Sequence, residues 1–135
     1  MAEGARQATF HFSRLLRAPF GEAMERVITA LKKEGFRVLA YIDVREILRE
    51  TLGVDFHKYC ILGAFNAPLA HRALQLEDKI GAMLPYNVVV QQRADDTVEV
   101  SAVDPVASIQ AIGNPELEEI ARAAGARLKS VIEAI

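Results

Sequence analysis

The sequence predicts a single α+β domain, and three observations carry the prediction. Residues 86–105, YNVVVQQRADDTVEVSAVDP, read as a hairpin. Helical patterns separate all the earlier strands, and one long amphipathic helix closes the chain. A doubly wound fold would place a helix between the last two strands as well. The expected order is therefore β-α-β-α-β-α-β-β-α, with a largely antiparallel or mixed sheet in one domain over residues 1–135.

Each element has a local justification. Residues 7–13 alternate, with Ala8, Phe10 and Phe12 on one side and Thr9, His11 and Ser13 on the other, as a strand does. After Pro19, the apolar Phe20, Met24, Val27, Ile28 and Leu31 fall at helical spacing, and Gly35 ends that helix. Residues 36–42 form the second strand, grouping Phe36, Val38, Ala40 and Ile42 opposite Leu39 and Tyr41. Asp43 opens a short helix with Glu46 at capping-box spacing, and Val44, Ile47, Leu48 and Leu52 make its stripe before Gly53.

Residues 59–65, YCILGAF, return as a strand in which Gly63 marks a bulge or a close backbone approach. Asn66 is an expected N-cap for a helix over 67–76 with Pro68 in its first turn, burying Leu69, Ala73 and Leu76. A further turn runs from Asp78 to Met83, and Pro85 holds Leu84 extended at the entry to the hairpin. Val88, Val89 and Val90 point to both sides of the pleat, which predicts cover on both faces of the sheet. Asp104-Pro105 starts a short helix closed by Gly113. Asn114-Pro115 starts the last one, whose stripe runs from Leu117 through Leu128 to Ile135 across Gly125.

Composition excludes several function classes. With 51% hydrophobic and 25% charged residues, the 135-residue chain is ordinary globular, long enough for one core. Its net charge is −2, and 16 Lys and Arg are scattered among 18 acids, so the basic footprint of a nucleic-acid binder is missing. No apolar run approaches the roughly 20 residues that span a bilayer, and the first ten residues hold no apolar signal core, which predicts a cytoplasmic protein. The single cysteine, Cys60, has no partner for an internal disulfide or a structural zinc site and is expected as a buried strand thiol.

The stretch YCILGAFNAPLAHRALQLEDKIGAMLPYNVVVQQ, followed by VSAVDPVASIQAIGNPELEEIA, resembles the bacterial and archaeal family known as domain of unknown function 302. The resemblance runs from about the first strand to the C-terminus. Gly35-Phe36 leading to Ile42-Asp43-Val44, Leu62-Gly63-Ala64 with Asn66 and Pro68, Leu84-Pro85 with the Asn87 strand, and Asp104-Pro105 carry it together. It implies a TATA-binding-protein-like β-α-β4-α core with additional helices, and a homodimer. The family often has cysteine where this chain has Phe65 and Tyr86, so neither redox nor metal chemistry transfers to those positions. Asp43, Asn66, Asn87 and Asp104 do match the family, which has no assigned activity.

These four residues are the candidate ligand-binding set. Asp43, Asn66 and Asp104 each sit where a strand gives way to a helix. A shared sheet end would gather their helix N-termini into a site for a small anionic ligand. The same residue types are those an N-cap prefers. Asn87 opens a strand expected to be buried, where its amide needs partners. His11, His57 and His71 lack metal-ligand spacing, and there is no phosphate loop, no nucleophile elbow and no paired-carboxylate motif, so no metal or cofactor is expected. The leading reading is a homodimeric small-ligand-binding or protein-interaction module, the dimer covering the second sheet face around Leu39 and Val89. The alternative is an enzyme acting on a small anionic substrate with Asp43 or Asp104 as acid or base and Asn66 and Asn87 as donors, which requires the four side chains to converge.

Overall fold

Valines fill the middle of the sheet: Val88, Val90, Val98 and Val100 are all fully buried, and β-branched side chains suit a pleated surface packed on one side. The computed structural model describes residues 6–7 and 10–135. In chain order these form β1 (Arg6–Gln7), β2 (His11–Arg17), α1 (Phe20–Lys33), β3 (Arg37–Asp43), α2 (Val44–Leu52), β4 (Tyr59–Phe65) and α3 (Ala67–Leu76). Then follow β5 (Tyr86–Ala94), β6 (Thr97–Val103), α4 (Pro105–Ile109) and α5 (Pro115–Ala134), with 3-10 turns at Ile80–Met83 and Gln110–Ile112.

The strand order is β1-β2-β6-β5-β4-β3, and every neighbouring pair is antiparallel. Setting the two-residue β1, α2, α3, α4 and the 3-10 turns aside leaves β2-α1-β3-β4-β5-β6-α5, the β-α-β4-α core expected for this α+β fold. Side chains of α1 (Val27, Leu31) and α5 (Leu128, Ile132) pack with one face of the sheet in a single cluster. A second cluster joins Leu69 and Ala73 of α3, Ile109 of α4, and Leu117, Ile120 and Ala121 of α5, so α5 serves both cores. No helix among the described residues is long and apolar enough to cross a membrane.

Several expectations change in the structure. The first long strand is His11–Arg17 rather than 7–13; Phe10 lies outside it and is exposed, and Ala8 and Thr9 lie outside the described residues. The core positions of β2 are Phe12, Arg14 and Leu16, and the arginine in the middle hides the apolar alternation. Arg14 reaches α5, where its Nη1 donates to the carbonyls of Ile132 (3.3 Å) and Glu133 (2.8 Å). In β3 the register shifts between Val38, opposite Ala64, and Ala40, opposite Gly63. This bulge at Leu39 splits the expected group, sending Val38 to the helix side and Ala40 and Ile42 to the other. Ile28 and Leu76 are exposed rather than buried.

The largest change concerns cover. Val88 and Val90 are buried, but Val89 is only half-buried, opposite Ile61 and Ser101 on a face over which the described residues fold no helix core. One chain thus covers one face, because α1 and α5 both return to the same side.

Candidate functional site

Strand alternation builds the open face residue by residue. Ser13 of β2, Ser101 of β6, Val89 of β5 and Ile61 of β4 stand in one cross-strand row. The adjacent row is Leu15, Glu99, Gln91 and Tyr59. The result is an open hollow of about 460 Å³, walled by Phe10 and His11 at one side and Tyr59 at another, with Asn87, Arg93 and Val103 completing it. That volume lies in the range of small-molecule sites.

Polar groups lining the hollow belong to two hydrogen-bond chains, one within it and one that starts beside it at His57. His11 Nδ1 lies 2.5 Å from Ser13 Oγ, and Ser13 donates to Ser101 Oγ at 2.8 Å. On the other side, His57 Nε2 donates to the Gln91 side-chain oxygen at 3.0 Å. The two charges of the hollow answer each other: Arg93 donates from Nε and Nη2 to Glu99 Oε1 at 2.9 and 2.6 Å. Each imidazole is also held by a ring neighbour, Phe10 against His11 with centroids 4.6 Å apart and Phe56 against His57 at 4.2 Å.

A histidine beside a serine invites comparison with a nucleophile and its base. The surroundings do not support that chemistry. Ser13 is 7% exposed, and it pairs with Arg6 on one side and Ser101 on the other. The backbone at Ser13 is engaged in the sheet ladder with β1 and β6.

A second hollow, of about 420 Å³, lies at the β3 edge between Phe20, Tyr41, Asp43, Arg45, Arg49 and Lys58, with Cys60 beneath. Burial pushes the Cys60 thiol above its ordinary value, against the smaller opposing effects of hydrogen bonds from the Tyr41 hydroxyl and the Ile42 backbone. The thiol is therefore held protonated. Among the described residues, no three His, Cys, Asp or Glu side chains are grouped to hold a metal ion.

The four candidate residues do not meet. Asp43 accepts from Glu46 N at 3.0 Å, the buried Asn66 from Leu69 N at 3.1 Å, and Asp104 from Val106 N at 3.0 Å, each capping its own helix. Asp43 pairs with Cys60 at the start of β4, whereas Asn66 follows the end of that strand. The two are thus separated by the length of the strand, about 20 Å. Asp104 ends β6, which runs parallel to β4, so it shares an end with Asn66 and not with Asp43. Asn87 is exposed rather than buried, and it alone of the four lines the open hollow.

The sequence reading passed over Ser13, Ser101, His11, His57 and Gln91 as site residues. The signal was present for two strands, where polar side chains occupy every second position: His11 and Ser13 in β2, and Glu99 and Ser101 in β6. It took the register to show that these stripes adjoin.

A β-α-β4-α order with one helix-covered and one open sheet face defines the TATA-binding-protein-like α+β class. Within that class, the chain belongs to the family described as "Domain of unknown function DUF302", whose model matches residues 12–135. Its fold is similar to the crystal structure of an uncharacterized conserved DUF302 protein from Bacillus stearothermophilus. The two are 32% identical, the match covers 94% of this chain and 98% of that one, and the TM-score is 0.87. No curated protein matches the chain.

Proposed function

We propose that the chain is a small-ligand-binding module whose site is the open face of its sheet. The observation that supports this most is the hollow itself, about 460 Å³, with Ser13, Ser101 and Gln91 lining it, hydrogen-bonded to His11 within it and His57 beside it, and aromatic rings at its walls. The acid-base reading with Asp43 or Asp104 loses its premise, since the four side chains do not converge and three of them cap helices. A thermal-shift screen against small metabolites tests the proposal. The expected hits stabilise the native protein and fail to stabilise Val89→Arg, in which a long side chain fills the floor. No hit, or hits indifferent to Val89→Arg, would overturn it.

A second reading, a homodimer, is favoured by a different surface. The helix α2 is amphipathic yet buries no residue, and Ile47 and Leu52 on it are exposed, as are Leu39 and Tyr41 on the neighbouring edge strand β3. An edge strand with apolar side chains is a natural template for a second copy of the chain. In this reading the dimer forms at the edge and leaves the hollow free. Light scattering after size exclusion should show a dimer that Leu39→Asp or Leu52→Asp turns into a monomer. A monomeric native protein, or a dimer that survives both substitutions, would count against it.

A further inference from the structure

The two hydrogen-bond chains in the hollow have a direction, and that direction selects a ligand. With the Nδ1–H tautomer of His11, Ser13 accepts from the ring and donates to Ser101, whose own hydroxyl proton is then free to be offered to a ligand. The Gln91 side-chain oxygen is an acceptor only, so His57 Nε2–H is the donor there, and the Gln91 NH2 group is left to the hollow. Both chains start at an imidazole and end in a donor. Ser101 and Gln91 stand on adjacent strands in neighbouring rows, beside the apolar Val89. The nearby charges do not reverse this polarity, because Arg93 and Glu99 are paired with each other.

Resting on the ligand-binding reading above, we propose that the hollow takes a flat ligand that presents a carbonyl or carboxylate oxygen to Ser101 and Gln91, its apolar body lying over Val89. The aromatic walls at Phe10 and Tyr59 suit a planar body, since ring edges and faces pack well on one another. Donors held by their own buried or ring-packed partners are already oriented, which lowers the cost of binding an acceptor. A ligand offering only donors would find no acceptor in the Gln91 NH2 group and would have only the remaining lone pair of Ser101 Oγ to meet, so it would lose one of the two bonds.

Three probes with one ring separate the cases: benzamide with a neutral carbonyl, benzoate with a carboxylate, and aniline with a donor alone. Each is titrated into the native protein while backbone amide shifts are followed by NMR. The expected result is saturable movement of the Val89, Gln91 and Ser101 signals with benzamide or benzoate, and binding by aniline at least about ten-fold weaker, the scale of one lost hydrogen bond. Comparing benzamide with benzoate tells a neutral from an anionic acceptor. Ser101→Ala should weaken the tighter probe about ten-fold. Gln91→Met is the second variant and should do the same with an unchanged melting temperature. Aniline binding as tightly as the other two, or full affinity retained by both variants, overturns the acceptor inference while leaving the hollow a binding site. No shift at these residues with any of the three overturns the inference and the reading beneath it together.

Discussion

At the scale of single residues, Gly63 shows how a sequence signal and its cause part company. A glycine inside YCILGAF reads as a bulge or a close approach, and the structure shows a close approach. A Cβ at this position would stand 2.8 Å from Pro85 Cγ and 3.1 Å from Ala40 Cβ. Neither neighbour is the far end of a flexible chain, so Gly63→Ala should cost about 1–3 kcal/mol, the usual cost of overpacking. Urea unfolding measures it, and an unchanged midpoint would show that Pro85 yields. That a glycine was needed was legible; that Pro85 covers it was not, because residues 22 apart in sequence meet only through the β4–β5 register. Asn66 teaches the converse. Its residue type fits both a cap and a ligand contact, and only its burial and its bond to Leu69 N decide for the cap.

At the scale of elements, α5 is the member to which the rest is fastened. Asn114 caps its start by accepting from the N–H groups of Glu116 and Leu117, and Arg14 of β2 covers two carbonyls at its end. A guanidinium at a helix C-terminus meets both the unpaired carbonyls and the negative end of the dipole. Arg14→Ala should therefore destabilise the fold by about 1–3 kcal/mol, and Arg14→Lys by less. Equal midpoints for Arg14→Ala and the native protein in chemical unfolding would refute this. Gly125, in the middle of α5, is less demanding than its place against α4 implies. An added Cβ would find Pro105 Cδ at 3.5 Å and Asp104 Oδ1 at 3.8 Å, ordinary contacts. The helix itself was plain in the sequence, since its apolar stripe holds over many turns. The strand β2 was misplaced because its core row contains Arg14, whose guanidinium donates to a helix end that no local pattern announces.

At the scale of the whole molecule, burial of weak acids ties stability to pH. The Tyr86 hydroxyl and the Cys60 thiol both sit above their ordinary values, with burial the main cause for each. For these groups the neutral form is the protonated one. Once the pH passes the ordinary thiol and phenol values of about 8.5 and 10, the unfolded chain releases protons that the folded chain keeps. Stability therefore falls as pH rises through that window, and levels only above the folded-state values. Thermal unfolding between pH 7 and 11 should show a falling midpoint, with a shallower decline in Tyr86→Phe. A midpoint that stays level to pH 11 would contradict the sign of both shifts. In the same experiments Cys60 should resist alkylation in the folded protein and react on unfolding, since the thiolate is the reactive form and the side chain is buried.

The sequence by itself determined the element types, most helix ends, the α+β class and the caps, because these depend on spacing, turn chemistry and contacts within a few residues. Asp43, Asn66 and Asp104 were visible as helix starters for that reason. The tertiary structure alone decided which face of the sheet stays open and which polar side chains meet on it. Val88, Val89 and Val90 carry the same local signal for either face, and the difference between them is set by α1 and α5 returning to one side. His11, Ser13 and Ser101 come from strands at opposite ends of the chain, and they form one hydrogen-bonded chain only because β2 and β6 pair in this register.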